Sequence, residues 1–158
     1  MARAPFTLAG YSVKPGQRQE IDVPVARLYT HTQLHMPVEV VHGRKEGPIL
    51  LVCGGIHGDE INGVEIVRRL LRAKVINGLR GTLIAVPVVN VLGFLQQTRY
   101  LPDRRDLNRC FPGTESGSLG GRIAALLREE IVDHATHIID LHTGAIHRTN
   151  LPQIRLSP

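Results

Sequence analysis

The chain has no tryptophan and only three phenylalanines and three tyrosines among 158 residues. That is too little aromatic surface for a platform on which nucleic-acid bases stack. Two cysteines, Cys53 and Cys110, form no CxxC pattern and no disulfide framework. They read as small, half-buried residues in a reducing compartment. No apolar run approaches the ~20 residues that span a bilayer, so no membrane partner is expected. The stretch MARAPFTLAGYSVKPGQ lacks a sustained apolar core and a small-residue cleavage site. No secretory leader is expected, and a cytoplasmic location is the default. No P-loop or dinucleotide-binding glycine pattern occurs, which argues against a phosphate cradle.

What is present is positive charge, +5 net with a sequence pI of about 9.8. Arginine supplies most of it. Arg68, Arg72, Arg80, Arg99, Arg105 and Arg109 are spread along the chain rather than gathered. Scattered guanidiniums without a recognition motif point away from nucleic acid. They suit a solvated surface, with a few arginines reserved for an acidic substrate.

Hydrophobic patterning predicts an α/β order. Residues 1–22, polar with Gly and Pro, read as an irregular arm. Residues 23–30 (VPVARLYT) and 37–42 (PVEVVH) are short β-branched runs that suit strands, and 43–48 (GRKEGP) is a turn. Residues 49–53 (ILLVC) are continuously apolar, as in a strand buried on both faces. From Asp59 a helix places Val64, Val67, Leu70 and Leu71 on one face, and Asn77-Gly78 ends it. Residues 82–89 (TLIAVPVV) are another buried strand, with Pro87 marking an edge or a strand end. Residues 90–117 read as a long loop, a length usually tied to function. A second amphipathic helix over 119–134 and a third buried strand at 137–141 (HIIDL) follow. The expected fold is α/β: a mixed, mainly parallel central sheet flanked by helices. It occupies a single domain over 1–158, with an arm and strand over 1–36 and a core over 37–150.

Three stretches hold chemistry-bearing residues. The first, GGIHGDEING at 54–63, lies where a strand gives way to a helix, the usual place for ligands in open α/β sheets. His57 and Glu60, three apart, converge at a helix start, and both are good zinc ligands. The plain alternative is that Asp59 or Glu60 only caps the helix. The second is DLHTG at 140–144. Asp140 and His142 share one face of a strand, so Asp140 suits a carboxylate that orients the imidazole. Otherwise they are polar residues at a strand end. The third comprises TRY at 98–100 and DLNRCFPG at 106–113. Guanidinium there suits carboxylate binding and carbonyl polarisation. Otherwise it is a solvated basic loop.

HGDE, TRY, DLNRCFPG and DLHTG, in that order and at these spacings, resemble the succinylglutamate desuccinylase/aspartoacylase family of zinc carboxypeptidase-like proteins, and its deacylase branch most of all. The resemblance covers about residues 37–150. It implies Zn²⁺ on His57, Glu60 and His142. It implies Arg99 at the scissile carbonyl, and Asn108 and Arg109 on the substrate carboxylate. The implied reaction is hydrolysis of an amide or ester in a small acidic N-acyl amino acid. Family members are longer, and their general-base glutamate lies beyond DLHTG. The resemblance therefore implies a core cut short after the strand bearing the third ligand, with no general base in the chain. The alternative is a catalytically deficient, metal- or ligand-binding remnant that self-associates as a homo-oligomer or pairs with a completing chain. His31, His35, His42, His134, His137 and His147 match no ligand position and are expected on the surface or in loops. Of these, His147 is near the site in sequence, close enough to line the pocket.

Overall fold

A computed structural model describes residues 3–146 and 148–156. Among them are seven strands: β1 (Phe6–Leu8), β2 (Tyr11–Val13), β3 (Gln17–Arg27), β4 (Gln33–His42), β5 (Lys45–Gly54), β6 (Arg80–Val86) and β7 (His137–Leu141). Three α-helices accompany them, α1 (Ile61–Leu70), α2 (Val91–Gln96) and α3 (Leu119–Glu130). β1 and β2 form a separate antiparallel hairpin. The other five strands make one sheet in the order β3-β4-β6-β5-β7.

The sheet is mixed. β3/β4 and β4/β6 pair antiparallel, whereas β5 pairs parallel with both β6 and β7. Side chains alternate across a strand, and two apolar clusters show the alternation. Leu51, Cys53, Ile84 and Val86 pack with the hairpin residues Leu8 and Val13 and with Ile123 and Leu127 of α3. Val52, Leu83 and Ala85 face the other way, onto Val67 of α1 and Leu71 just after it. Helices on both faces explain why β5 and β6 read as unbroken apolar runs.

Several elements differ from the pattern reading. The expected irregular arm holds the β1/β2 hairpin and the start of β3, whose alternation of polar and apolar residues is masked by charge. Arg3 ties this region down, donating to the carbonyls of Gly43 and Gly81 at 2.8 and 2.7 Å. His42 is buried rather than superficial. Its Nδ1 lies 2.8 Å from Thr82 Oγ1 and its Nε2 lies 2.9 Å from the Ala4 carbonyl. Pro87 falls just past the end of β6, a central strand. The expected loop over 90–117 contains α2, capped by Asn90, and a 3-10 turn at Leu107–Arg109.

β7 has the expected bounds but is not a buried strand. Ile138 and Ile139, on opposite faces, are 51% and 47% exposed. Among the described residues β7 lies at the sheet edge against β5 alone, and both apolar clusters centre on β5 and β6. No helix of the described residues is long and apolar enough to cross a membrane.

Ile84 is fully buried, whereas Ile66 is a half-exposed helix residue. Ile84→Ala is expected to lower the unfolding free energy by about 2–5 kcal/mol, and Ile66→Ala to change it by no more than about 0.5 kcal/mol. Urea denaturation checks both.

Candidate metal centre

The site is assembled by parallel pairing. In the β5/β7 register Cys53 faces Asp140 and Gly54 faces Leu141. Both strands therefore end at the same level, one delivering the turn that holds His57 and Glu60 and the other delivering His142. The turn is tight. Gly55 has a φ of +63°, and a Cβ on Gly58 would meet the Gly93 carbonyl carbon at 2.0 Å. Glycine at these positions lets the backbone turn and lets α2 pack directly on it.

Glu60 lies at the centre, 2% exposed. Its Oε1 is 2.8 Å from His57 Nδ1, and its Oε2 is 2.9 Å from His142 Nδ1. The Thr143 backbone N–H also donates to Oε2 at 2.9 Å. The outer imidazole nitrogens meet two further carboxylates. His57 Nε2 lies 3.0 Å from Asp106 Oδ1, and His142 Nε2 lies 2.8 Å from Asp140 Oδ2. The Asp140 hydrogen bond, reinforced by Glu60 and opposed by burial, holds the His142 imidazole above its usual pKa. Partial burial pushes the Asp106 carboxyl up, but hydrogen bonds from His57 and Arg99 outweigh it and leave it below the ordinary range.

Arg99 closes the other side. Its Nε and Nη2 donate to Asp106 Oδ2 at 3.2 and 2.9 Å, and its Nη1 reaches Glu60 Oε1 at 3.4 Å. Asp106 thus links Arg99 to His57. This aspartate opens the DLNR motif, which is its one signal in the sequence, and the local pattern assigns it no role. Asn108 is half-buried, and its backbone N–H donates to Asp106. Arg109 is exposed, and its guanidinium donates to the Asn108 carbonyl at 3.3 Å. Asp59 does not cap α1, since no side chain does. His147 lies outside the described residues. A cavity of about 440 Å³ opens beside the turn, lined in part by Asp59, Thr98, Arg99, Tyr100 and Ile146.

One ligand atom each from His57, Glu60 and His142 lies within 4.8 Å of the others. Two imidazoles and a carboxylate are a donor set that Zn²⁺ accepts. Carboxylates behind both imidazoles fix the ring orientation, as at metal sites generally. The residues present therefore fit a divalent metal.

Together these features define an α/β protein with a histidine–glutamate–histidine cluster at the ends of its parallel strands. Residues 46–157 match the succinylglutamate desuccinylase/aspartoacylase catalytic domain, and the chain belongs to that family. Over 110 residues it is 36% identical to an N-alpha-acetyl-L-2,4-diaminobutyric acid deacetylase of Halomonas elongata, covering 69% of this chain and 32% of that protein. Over 165 aligned positions it is 30% identical to a succinylglutamate desuccinylase of Pseudomonas aeruginosa, covering 97% of this chain and 47% of the relative. A succinylglutamate desuccinylase/aspartoacylase structure from Rhodobacter sphaeroides superposes with a TM-score of 0.71 at 34% identity, over 80% of this chain and 40% of that one. The product-bound ectoine utilization protein of Ruegeria pomeroyi gives 0.72 at 28% identity, with the same coverage. The chain spans about a third to a half of the length of these curated relatives.

Behind the cluster, Cys53 Sγ donates to Asp140 Oδ1 at 3.5 Å. Burial, reinforced by the Asp140 charge, pushes its thiol well above the usual pKa. Iodoacetamide at pH 8 is expected to leave Cys53 unmodified in the folded chain and to label it promptly in urea. Mass spectrometry of the peptide checks this.

Proposed function

We propose that the chain carries the metal-binding part of a hydrolase that cleaves the amide bond of a small N-acylated amino acid. The convergence of His57, Glu60 and His142 carries this reading. The names of the relatives, a deacetylase and a desuccinylase, support it. Zn²⁺, when bound by these three residues, supplies a Lewis acid for the scissile carbonyl and the attacking water.

The chain's own residues do the rest. Asp106 and Asp140 hold the two imidazoles in register. Arg99, clamped by Asp106 beside Glu60, offers a guanidinium to the carbonyl oxygen as negative charge develops there. Asn108 and Arg109 receive the substrate carboxylate. No step here depends on a free carboxylate. Glu60, Asp106 and Asp140, the acids beside the imidazoles, all have their oxygens engaged. The proton acceptor for the attacking water is therefore assigned to a group outside these residues.

Equilibrium dialysis against zinc, read by elemental analysis, tests the reading. One ion per chain is expected, and it should be lost in His57→Ala and Glu60→Ala. Sub-stoichiometric metal that His57→Ala leaves unchanged rejects it. Asp140→Ala, which keeps all three ligands, is expected to weaken zinc binding by about 10–100-fold.

The exposed faces of β7 favour a second reading, a remnant that self-associates or pairs with a completing chain. An edge strand offers unpaired backbone groups to another chain, and here Ile138 and Ile139 add apolar surface on both sides. Sedimentation velocity should then show dimers or larger species at high concentration, reduced by Ile139→Lys. A monomer at all concentrations counts against it.

A further inference from the structure

Three apolar side chains that the fold leaves exposed, Ile61, Tyr100 and Ile146, come from separate segments yet line one cavity. They are 52, 43 and 56% exposed, so a ligand entering the cavity touches them. Single exposed apolar residues are ordinary, but a group of them around one concavity marks a binding site. Thr98, also in the wall, turns its hydroxyl to the Tyr100 carbonyl at 2.8 Å, so that polar group is already satisfied. The volume is about 440 Å³. Cavities of roughly 300–1,000 Å³ enclose ligands far larger than a two-carbon group.

The position of the cavity decides which part of a substrate it faces. Ile61 directly follows Glu60 in the chain. Arg99 lies in the wall, with its Nη1 3.4 Å from Glu60 Oε1. The cavity therefore begins beside the metal cluster, at the residue assigned to the scissile carbonyl. Among the described residues its wall includes neither Asn108 nor Arg109, the pair assigned to the substrate carboxylate. Of the two halves of an N-acylated amino acid, the cavity thus faces the acyl half. Arg99 is the one cation among the described lining residues, and its guanidinium is held by Asp106 and Glu60. Asp59 lines the same space. A carboxylate at the far end of an acyl chain would meet that negative charge, with no free cation among these residues to offset it.

We propose that this cavity is the acyl subsite and that it takes an uncharged, apolar acyl chain longer than acetyl, packed against Ile61, Tyr100 and Ile146. The proposal rests on the deacylase reading above and names the acyl class of the same site. Each methylene buried there strengthens binding about four-fold. An acetyl group, with no methylene to bury, does not obtain that gain.

Calorimetric titration of the zinc-loaded chain tests this with three probes that share a metal-binding head and differ in the tail: acetohydroxamate, hexanohydroxamate and the monohydroxamate of succinate. Hexanohydroxamate is expected to bind at least about ten-fold more tightly than acetohydroxamate, the effect of burying about two of its additional methylenes. The succinate probe is expected to bind no more tightly than acetohydroxamate. In the double variant Ile61→Asn/Ile146→Asn the advantage of the long tail should fall below about three-fold, while acetohydroxamate binding stays within about two-fold. Both residues are exposed, so the fold tolerates the change. Equal affinities for the short and long tails overturn the proposal, and that comparison needs no variant. So does a succinate probe that binds more tightly than hexanohydroxamate, or an advantage that persists in the double variant. Zinc is counted in the same samples. Zinc held without the advantage of the long tail overturns this inference alone, whereas failure to hold zinc overturns the deacylase reading and this inference with it.

Discussion

A buried carboxylate must be answered by positive charge or by donors, and Glu60 sets that requirement for this fold. It is almost wholly removed from water and lies between two imidazoles that come from distant parts of the chain. A lone ion in that position is strongly unfavourable. Everything nearby serves to make it tolerable. Thr143 donates a backbone N–H, Arg99 leans toward it, and Asp106 and Asp140 keep the imidazole rings facing inward. The cluster forms one connected network, so no member acts independently of the others.

That network depends on strand register. Each slip of one residue would turn β7 side chains to the opposite face. Asp140 opposite Cys53 and Leu141 opposite Gly54 leave His142 level with the Glu60 turn. The apolar runs of β5 and β6, covered by helices on both sides, fix the sheet on which this alignment is built. Packing in the core thus determines polar geometry at the strand ends.

Much of this was legible in sequence because the signals are local. The ILLVC run, the amphipathic helix after Glu60 and the bounds of β7 follow from periodicity and turn residues. HGDE and DLHTG sit at strand ends for the same reason. Other features depend on partners that periodicity does not reveal. The exposure of β7 follows from its place at the sheet edge, which strand order decides. The burial of His42 follows from Thr82 and Ala4, 40 and 38 residues away. Asp106 has no local pattern that assigns it, since its role is to join two residues, 49 and 7 positions distant. The β1/β2 hairpin was obscured by glycine, proline and charge in a stretch that looks irregular.

The edge position of β7 has a mechanical consequence. Among the described residues only β5 holds this strand laterally, and both apolar clusters centre on other strands. The Glu60–His142 contact is therefore a clasp across a chain separation of 82 residues, fastening the last strand to the middle of the sheet. Whatever strengthens that cluster also resists fraying of the edge, because occupancy and local order are linked. The exposed strand β7 and the polar cluster at its end thus rise and fall together.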